Sequence, residues 1–299
     1  MSKKYKNIDT YTSIIDVALV KASLSDIQST ELFAIRDSLI SNVTNLSNVC
    51  FLPVSIAHRA VHQTEWVERL RRALKEGNLN GTKEERKIEI ERRMERLNNN
   101  DVESWALSVL DEFVDDDEEV KNGFASLFNL AIINLWTIVE TLSLDLWVTV
   151  VNEHHATLGK LAVNEKKDQI SKTLTNILVE NSFEVSLQDK IGSIAARSYD
   201  FTGVKDISKS YSVIFKTQRP QIENIFKNQH IVKLQAMRNV LVHNGGVMDE
   251  AYCRMVKDDS NLGQRIEING KKFSELATNV FSLCTDLIKI VDEACTKSD

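Results

Sequence analysis

Two prolines and ten glycines in 299 residues are the strongest constraint on what this chain can fold into. An average globular sequence of this length carries roughly twice as many glycines and several times as many prolines. Residues that stop helices and turn strands are therefore scarce, and long helices are expected over a turn-rich β fold. Hydrophobic residues make up 42% of the chain, so it can bury a sizeable core as one large domain or two modest ones. The fold class read from this is all-α.

Apolar residues Leu32, Ile35, Leu39, Val43 and Leu46 recur at helical steps, so 13–50 reads as two helical segments. Pro53 predicts a break. A helix over 55–76 follows, ending at Gly77 and the turn-like Asn78-Leu79-Asn80-Gly81. Thr82 and Glu85 have the spacing of a capping box. Residues 83–97 alternate acid and base, the pattern of a solvated, ion-paired helix; a nucleic-acid arm is the sharper alternative. Asn98-Asn99-Asn100-Asp101 reads as a loop, 102–114 as a short helix, and the acidic run 115–119 as a cap for the next helix.

That next helix, 120–153, is the longest apolar element, with Phe124, Phe128, Ile132, Leu135, Val139, Leu142 and Leu146 in one stripe and Trp136 and Trp147 adding bulk. It is uncharged from Asn122 to Val139, but it contains asparagines, the acidic run 115–119 lies before it, and Glu140 and Asp145 follow. A buried core helix is expected there, with no membrane span. Further helices are expected near 165–181, 186–197, 220–228, 230–243, 248–257 and 273–295. The alternating stretch 264–272, containing Asn269-Gly270, predicts a small β-hairpin before the last helix. A boundary is expected at 115/116. Residues 1–115 would form a helical N-terminal region of unassigned role, and 116–299 a compact helical domain.

The net charge of −6 argues against coating nucleic acid through the global field, so any RNA contact requires a local basic site. Cys50, Cys253, Cys284 and Cys295 form no close pair and no zinc spacing with histidine, and they read as thiols of a reducing compartment. Lys3-Lys4-Tyr5-Lys6 leads into polar sequence rather than a signal-peptide core. A cytoplasmic protein without metal or cofactor is expected. His58 and His62 are i,i+4, but no glutamate follows His58 and no third ligand is in view, so they read as ordinary helix positions. His154 and His155 read as surface. Ser and Cys nucleophile motifs and a phosphate-cradling glycine loop are missing.

The chemistry concentrates in Arg238-Asn239-Val240-Leu241-Val242-His243-Asn244-Gly245-Gly246. On a wheel of about 100° per residue with Arg238 at 0°, Gln235 falls near ~60°, Asn239 near ~100° and His243 near ~140°. Leu234, Met237, Val240 and Leu241 occupy the opposite, core-facing arc. Ile231, Val232 and Val242 share the polar sector, which suggests a face covered by a partner helix, from this chain or from a second copy. His243 lies in the last turn, where the negative helix end favours its protonated form. An imidazole there suits acid–base work near neutrality. RNA cleavage by the 2′-OH needs a base, an acid for the leaving 5′-oxygen, and a cation for the phosphoryl charge. His243 can serve the proton steps, Arg238 the charge, and Asn239 the orientation of phosphate or imidazole. The structural reading of the same residues is a histidine at a helix end, a Gly-Gly stop, and an Arg238 paired with Glu140 or another acid.

The stretch RNVLVHNGG resembles the signature of the HEPN superfamily, an arginine followed after four to six residues by a histidine, often with a polar residue after the arginine. The resemblance covers roughly 116–299 and is strengthened by its context. The motif helix ends in a glycine-rich stop. An apolar acid-bearing helix, NLWTIVETLSLDLW with Glu140, lies about a hundred residues earlier. A predicted hairpin and a final helix follow. The resemblance implies an all-α bundle, a homodimer with a composite active site, and a metal-independent endoribonuclease of antiviral defence, abortive infection or toxin–antitoxin systems. It implies Arg238, Asn239 and His243 as catalytic residues and Glu140 as the acid that orients Arg238 or His243. A regulatory partner protein is a further implication, and a HEPN-fold nucleotide-binding or assembly module without nuclease activity is the alternative. Gly245 stands where members paired with a nucleotidyltransferase antitoxin carry a tyrosine, which speaks against that mode of control.

Overall fold

The computed structural model describes residues 15–76, 80–96, 102–180 and 190–296. The expected turn at 77–79, the loop at 98–101 and the start of the helix near 186 lie outside the described residues. Among those described, the chain is all-α. Its helices are α1 (Val17–Ser23), α2 (Phe33–Lys75), α3 (Lys83–Arg96), α4 (Val102–Asp116), α5 (Glu118–Glu153), α6 (Lys160–Glu165), α7 (Lys167–Glu180), α8 (Ile191–Ala196), α9 (Val204–Ile214), α10 (Arg219–Phe226), α11 (Gln229–His243), α12 (Glu250–Val256) and α13 (Gly270–Thr296).

α5 is the axis of the core. Asp117 caps its start by accepting from the N–H groups of Glu119 and Val120 at 2.8 and 3.3 Å, as the acidic run predicts. Phe128, Ala131, Ile132, Leu135, Trp136, Leu146, Trp147, Val150 and Val151 are all buried, more than one stripe can account for. They meet α2, α8, α11 and α13 on different sides. Gly192 of α8 lies so close to α5 that a Cβ there would sit 2.4 Å from the carbonyl oxygen of Val148. Its N–H donates to Asn152 Oδ1 at 2.7 Å.

The largest departure from expectation is at Pro53. The chain does not break there: α2 runs through it as one helix of 43 residues. A proline inside a helix removes one N–H bond and costs about 3 kcal/mol. Packing on both sides offsets that cost. Leu39, Val43, Leu46 and Cys50 join the main core, while Val54 joins a second cluster with Leu110, Val114 and Phe124. Residues on both sides of the expected boundary at 115 thus share one core: Ile15 to Cys50 are in contact with Phe128 to Val151 and with α13.

By length and hydropathy two segments, Thr30–Lys75 and Glu118–Glu153, are able to cross a membrane; half of the apolar window of the second is buried inside the fold.

The expected hairpin at 264–272 is absent from the described residues. An isolated antiparallel bridge pairs Val247 with Arg265. Asn269-Gly270 is not a hairpin turn but the start of α13, because Asn269 Oδ1 accepts the N–H of Lys272 at 2.9 Å. Asparagine is as good an N-cap as a turn former, and the long apolar face of α13 decides between them.

Candidate functional site

The motif lies on α11, which Asn228 caps through the N–H of His230 at 2.9 Å. Leu234, Met237 and Val240 are buried and Leu241 half-buried, so the core arc of the wheel holds. The polar arc divides. Ile231 is buried, Val232 is half-buried, and Val242 is 47% exposed. Gln235 belongs to structure rather than to a site: its Oε1 accepts the N–H of Val204 at 3.1 Å and caps α9, whose own Gly203 offers no side chain for the purpose.

Helix α11 ends by design of its sequence. The N–H groups of Asn244 and Gly246 both reach the carbonyl of Val240, at 2.9 and 3.0 Å. Gly245 and Gly246 have φ of 58° and 85°, where only glycine is comfortable. Asn244 Nδ2 donates to Asp249 Oδ2, and Asp249 Oδ1 accepts the N–H of Tyr252 at 2.8 Å to start α12. Chiefly that backbone bond holds the Asp249 carboxyl below its ordinary range. The turn after His243 is therefore pinned at both ends.

Three of the four expected site residues come together. Arg238 Nη2 lies 3.7 Å from Glu140 Oε1, with the side chains 26% and 21% exposed. The same oxygen accepts from Trp136 Nε1 at 2.7 Å. Arg238 Nη1 donates to Asn239 Oδ1 at 3.2 Å. Glu140 on α5 thus faces the guanidinium as an ion pair beyond hydrogen-bond length, and Trp136, one turn before it, holds the Glu140 carboxylate. The sequence marks Trp136 only as core bulk; its i,i+4 spacing to Glu140 is the signal for this further role. The Asn239 amide N–H groups have no partner among the described residues, so they and the outer edge of the guanidinium are available to an anion.

His243 is not part of this cluster. It is exposed in the last turn of α11, and among the described residues its ring has no hydrogen bond or ion pair. Beside the cluster, the outward face of α5 carries Leu130 at 60% and Leu144 at 37% exposure with exposed Asn134, Thr137 and Thr141 between them. Glu140 borders this stripe of uncharged residues on the side of the cluster.

A local basic site also exists, and the sequence reading misses it. Lys205 and Lys209 of α9, Lys216 of the following turn, Arg219 of α10 and Lys227 just after it line a groove of about 720 Å³, against the acids Glu165 and Glu223. Arg219 and Lys227 pair with Glu223 at 2.7 and 4.0 Å, while Lys205, Lys209 and Lys216 have no ion pair among the described residues. These lysines are spread over two short helices and the turns that follow them, so no run in the sequence marks them. Two other expectations concern histidines. His58 and His62 are exposed with rings 6.3 Å apart. His155 is exposed as expected, but His154 is half-buried because the chain folds back over it. No protein-family description, curated protein or solved structure matches this chain.

Proposed function

We propose that this chain is a metal-independent endoribonuclease of the HEPN type, a cytoplasmic homodimer acting in antiviral defence or a toxin–antitoxin stress response. The observation that carries the reading is the Glu140–Arg238–Asn239 cluster beside an exposed His243 at a helix C-terminus, without a partner among the described residues. An arginine held on one side by a carboxylate and open on the other suits a phosphate. A histidine that no described group of its own chain engages suits a site completed by a second copy.

In that dimer the uncharged stripe of α5 and the exposed Val242 are covered by the partner. The two His243 rings then divide the proton steps. One takes the proton of the RNA 2′-OH as its oxygen attacks phosphorus. The other protonates the departing 5′-oxygen, leaving a 2′,3′-cyclic phosphate and a 5′-hydroxyl. Arg238 and Asn239 offset the charge that builds on the phosphoryl oxygens. Lys205, Lys209 and Lys216 supply the local positive field that the acidic chain as a whole lacks.

The test is cleavage of RNA by the purified chain in EDTA, with end mapping and measurement of mass in solution. A dimer that cleaves in EDTA and leaves cyclic phosphate ends is the expected result. A monomer that binds nucleotides and cleaves nothing would point to the binding-module alternative. Glu140→Gln gives a finer test. The amide still accepts from Trp136 but no longer holds the guanidinium by charge. We expect cleavage to fall by ~10- to 100-fold, since a misplacement of about 1 Å can cost 10²-fold. The pair is only about a quarter exposed, but at 3.7 Å it is loose and the amide keeps the Trp136 bond, so the melting temperature should move little. Unchanged cleavage would assign Glu140 to structure alone.

A further inference from the structure

The fold gathers a second set of chemically capable side chains far from the motif. Glu31, His154 and Cys295 come from three distant parts of the chain, and their ligand atoms all lie within 4.8 Å of one another. His154 Nε2 and Glu31 Oε1 are 3.5 Å apart. Two such ligands on a tetrahedral zinc, each bonded at about 2.0–2.1 Å, stand roughly 3.3 Å apart. The sulfur, within 4.8 Å of both, needs to close by no more than about 1.2 Å to reach the roughly 3.6 Å spacing of a tetrahedral site. His154 Nε2 is shut off from solvent and makes no hydrogen bond among the described residues, a costly condition for a buried ring nitrogen. Cys295 is buried and the two other side chains are about one-fifth exposed, which leaves an approach for an ion and a water.

Each of the three is held in place by something other than the cluster. Glu31 belongs to the 3₁₀ turn Thr30–Leu32. Asp292 docks that turn onto α13 by accepting the N–H groups of Gln28 and Ser29, the latter at 2.7 Å. Asp292 lies one turn before Cys295 on α13, so the contact that fixes Glu31 also fixes its register with the thiol. His154 is the C-cap of α5: its N–H donates to the Val150 carbonyl at 2.9 Å. Its own carbonyl accepts from Thr157, Leu158 and Gly159, which fold the chain back over it. A rigid backbone under all three ligands is what metal sites need.

We propose that Glu31, His154 and Cys295 form a zinc site that fastens the N-terminal turn to the ends of α5 and α13. A thiolate with an imidazole selects Zn²⁺ over Mg²⁺ or Ca²⁺, and the carboxylate completes three protein ligands with water as the fourth. Binding displaces the thiol proton to solvent, so affinity falls as pH falls. The site stands about 21 Å along α5 from Glu140, at 1.5 Å of rise per residue, and takes no part in the proposed cleavage. The ligands are scattered in sequence, so no spacing motif announces them.

Titration of the reduced, metal-free full-length chain with Co²⁺, followed by displacement with Zn²⁺, tests the assignment. The expected result is one equivalent per chain, with a thiolate-to-cobalt charge-transfer band that Zn²⁺ abolishes. Cys295→Ser removes the band although Cys50, Cys253 and Cys284 remain. Losing a ligand costs at least what losing a ligand's own hydrogen-bond partner costs, so His154→Gln and Glu31→Gln should each weaken Zn²⁺ binding by about 10- to 100-fold or more. Glu31 is about one-fifth exposed whereas Cys295 is buried, so its variant keeps the test open should Cys295→Ser fail to fold. Zn²⁺ should raise the melting temperature of the parent and not of His154→Gln. A cobalt–thiolate band that survives in Cys295→Ser, or no saturable Zn²⁺ binding below millimolar concentration, overturns the proposal.

Discussion

His243→Ala should lower the rate of RNA cleavage by about 10²–10⁴-fold, the usual worth of a positioned acid–base group. Arg238→Ala should lower it by about 10²–10³-fold, the worth of one fixed donor to a developing oxyanion. Neither change should unfold the protein. His243 is exposed with no partner among the described residues, and exposed substitutions stay within about 0.5 kcal/mol. Arg238→Ala leaves Glu140 still bonded to Trp136, so no carboxylate is stranded. If both variants cleave like the parent, the site lies elsewhere. If both melt far below the parent, the residues are structural.

The dimer can be read from the same variants. In a site that needs both His243 rings, a chain mixed equally with His243→Ala and refolded together forms parent dimers about a quarter of the time. Activity should then fall to about a quarter of the parent's, because mixed dimers are dead. Self-contained sites would leave about half.

Some of this fold can be read directly from the chain. The scarcity of proline and glycine announces helices, and Asp117, Thr82 and Glu85 cap theirs as their spacing predicts. What is illegible depends on contacts between distant residues. Pro53 is a local break signal, and only the two clusters on either side of it explain why α2 continues. Val204, Ile207, Tyr211 and Ile214 do make a helical stripe, but a short one opening on a glycine, and the cap it lacks comes from Gln235. That same Gln235 reads on the wheel as part of the polar face of the motif, and the structure removes it from any site. Asn269-Gly270 is ambiguous in principle, since asparagine both turns hairpins and caps helices. Within the candidate site, Arg238 and Asn239 are neighbours on one turn, whereas their link to Glu140 crosses about a hundred residues and is suggested by resemblance rather than by any local pattern.

The other large effect concerns the floor beneath the motif. Trp147 is fully buried in α5, with its ring 4.9 Å from that of Tyr199 and 5.7 Å from that of Phe201. Its Nε1 donates to the Ser210 carbonyl at 3.1 Å, while Tyr211 Oη donates to the Ser143 carbonyl at 2.7 Å. Burial pushes the Tyr211 hydroxyl well above its ordinary pKa, so it stays a donor. These two reciprocal bonds fasten α9 to α5, and Gln235 fastens α9 to the motif helix. Trp147→Ala should destabilise the fold by about 3–5 kcal/mol through lost packing and the cavity left behind. Against a total of about 5–15 kcal/mol, that is enough to unfold a marginal domain at growth temperature. Trp147→Phe keeps most of the apolar contact and loses the indole N–H, so it should cost less, near the ~1–3 kcal/mol of an unsatisfied buried group. Urea unfolding of the two variants separates packing from hydrogen bonding. Equal losses would mean that the indole bond, rather than the ring, holds α9 in place, and a loss below about 1 kcal/mol for Trp147→Ala would contradict its burial at the centre of the core.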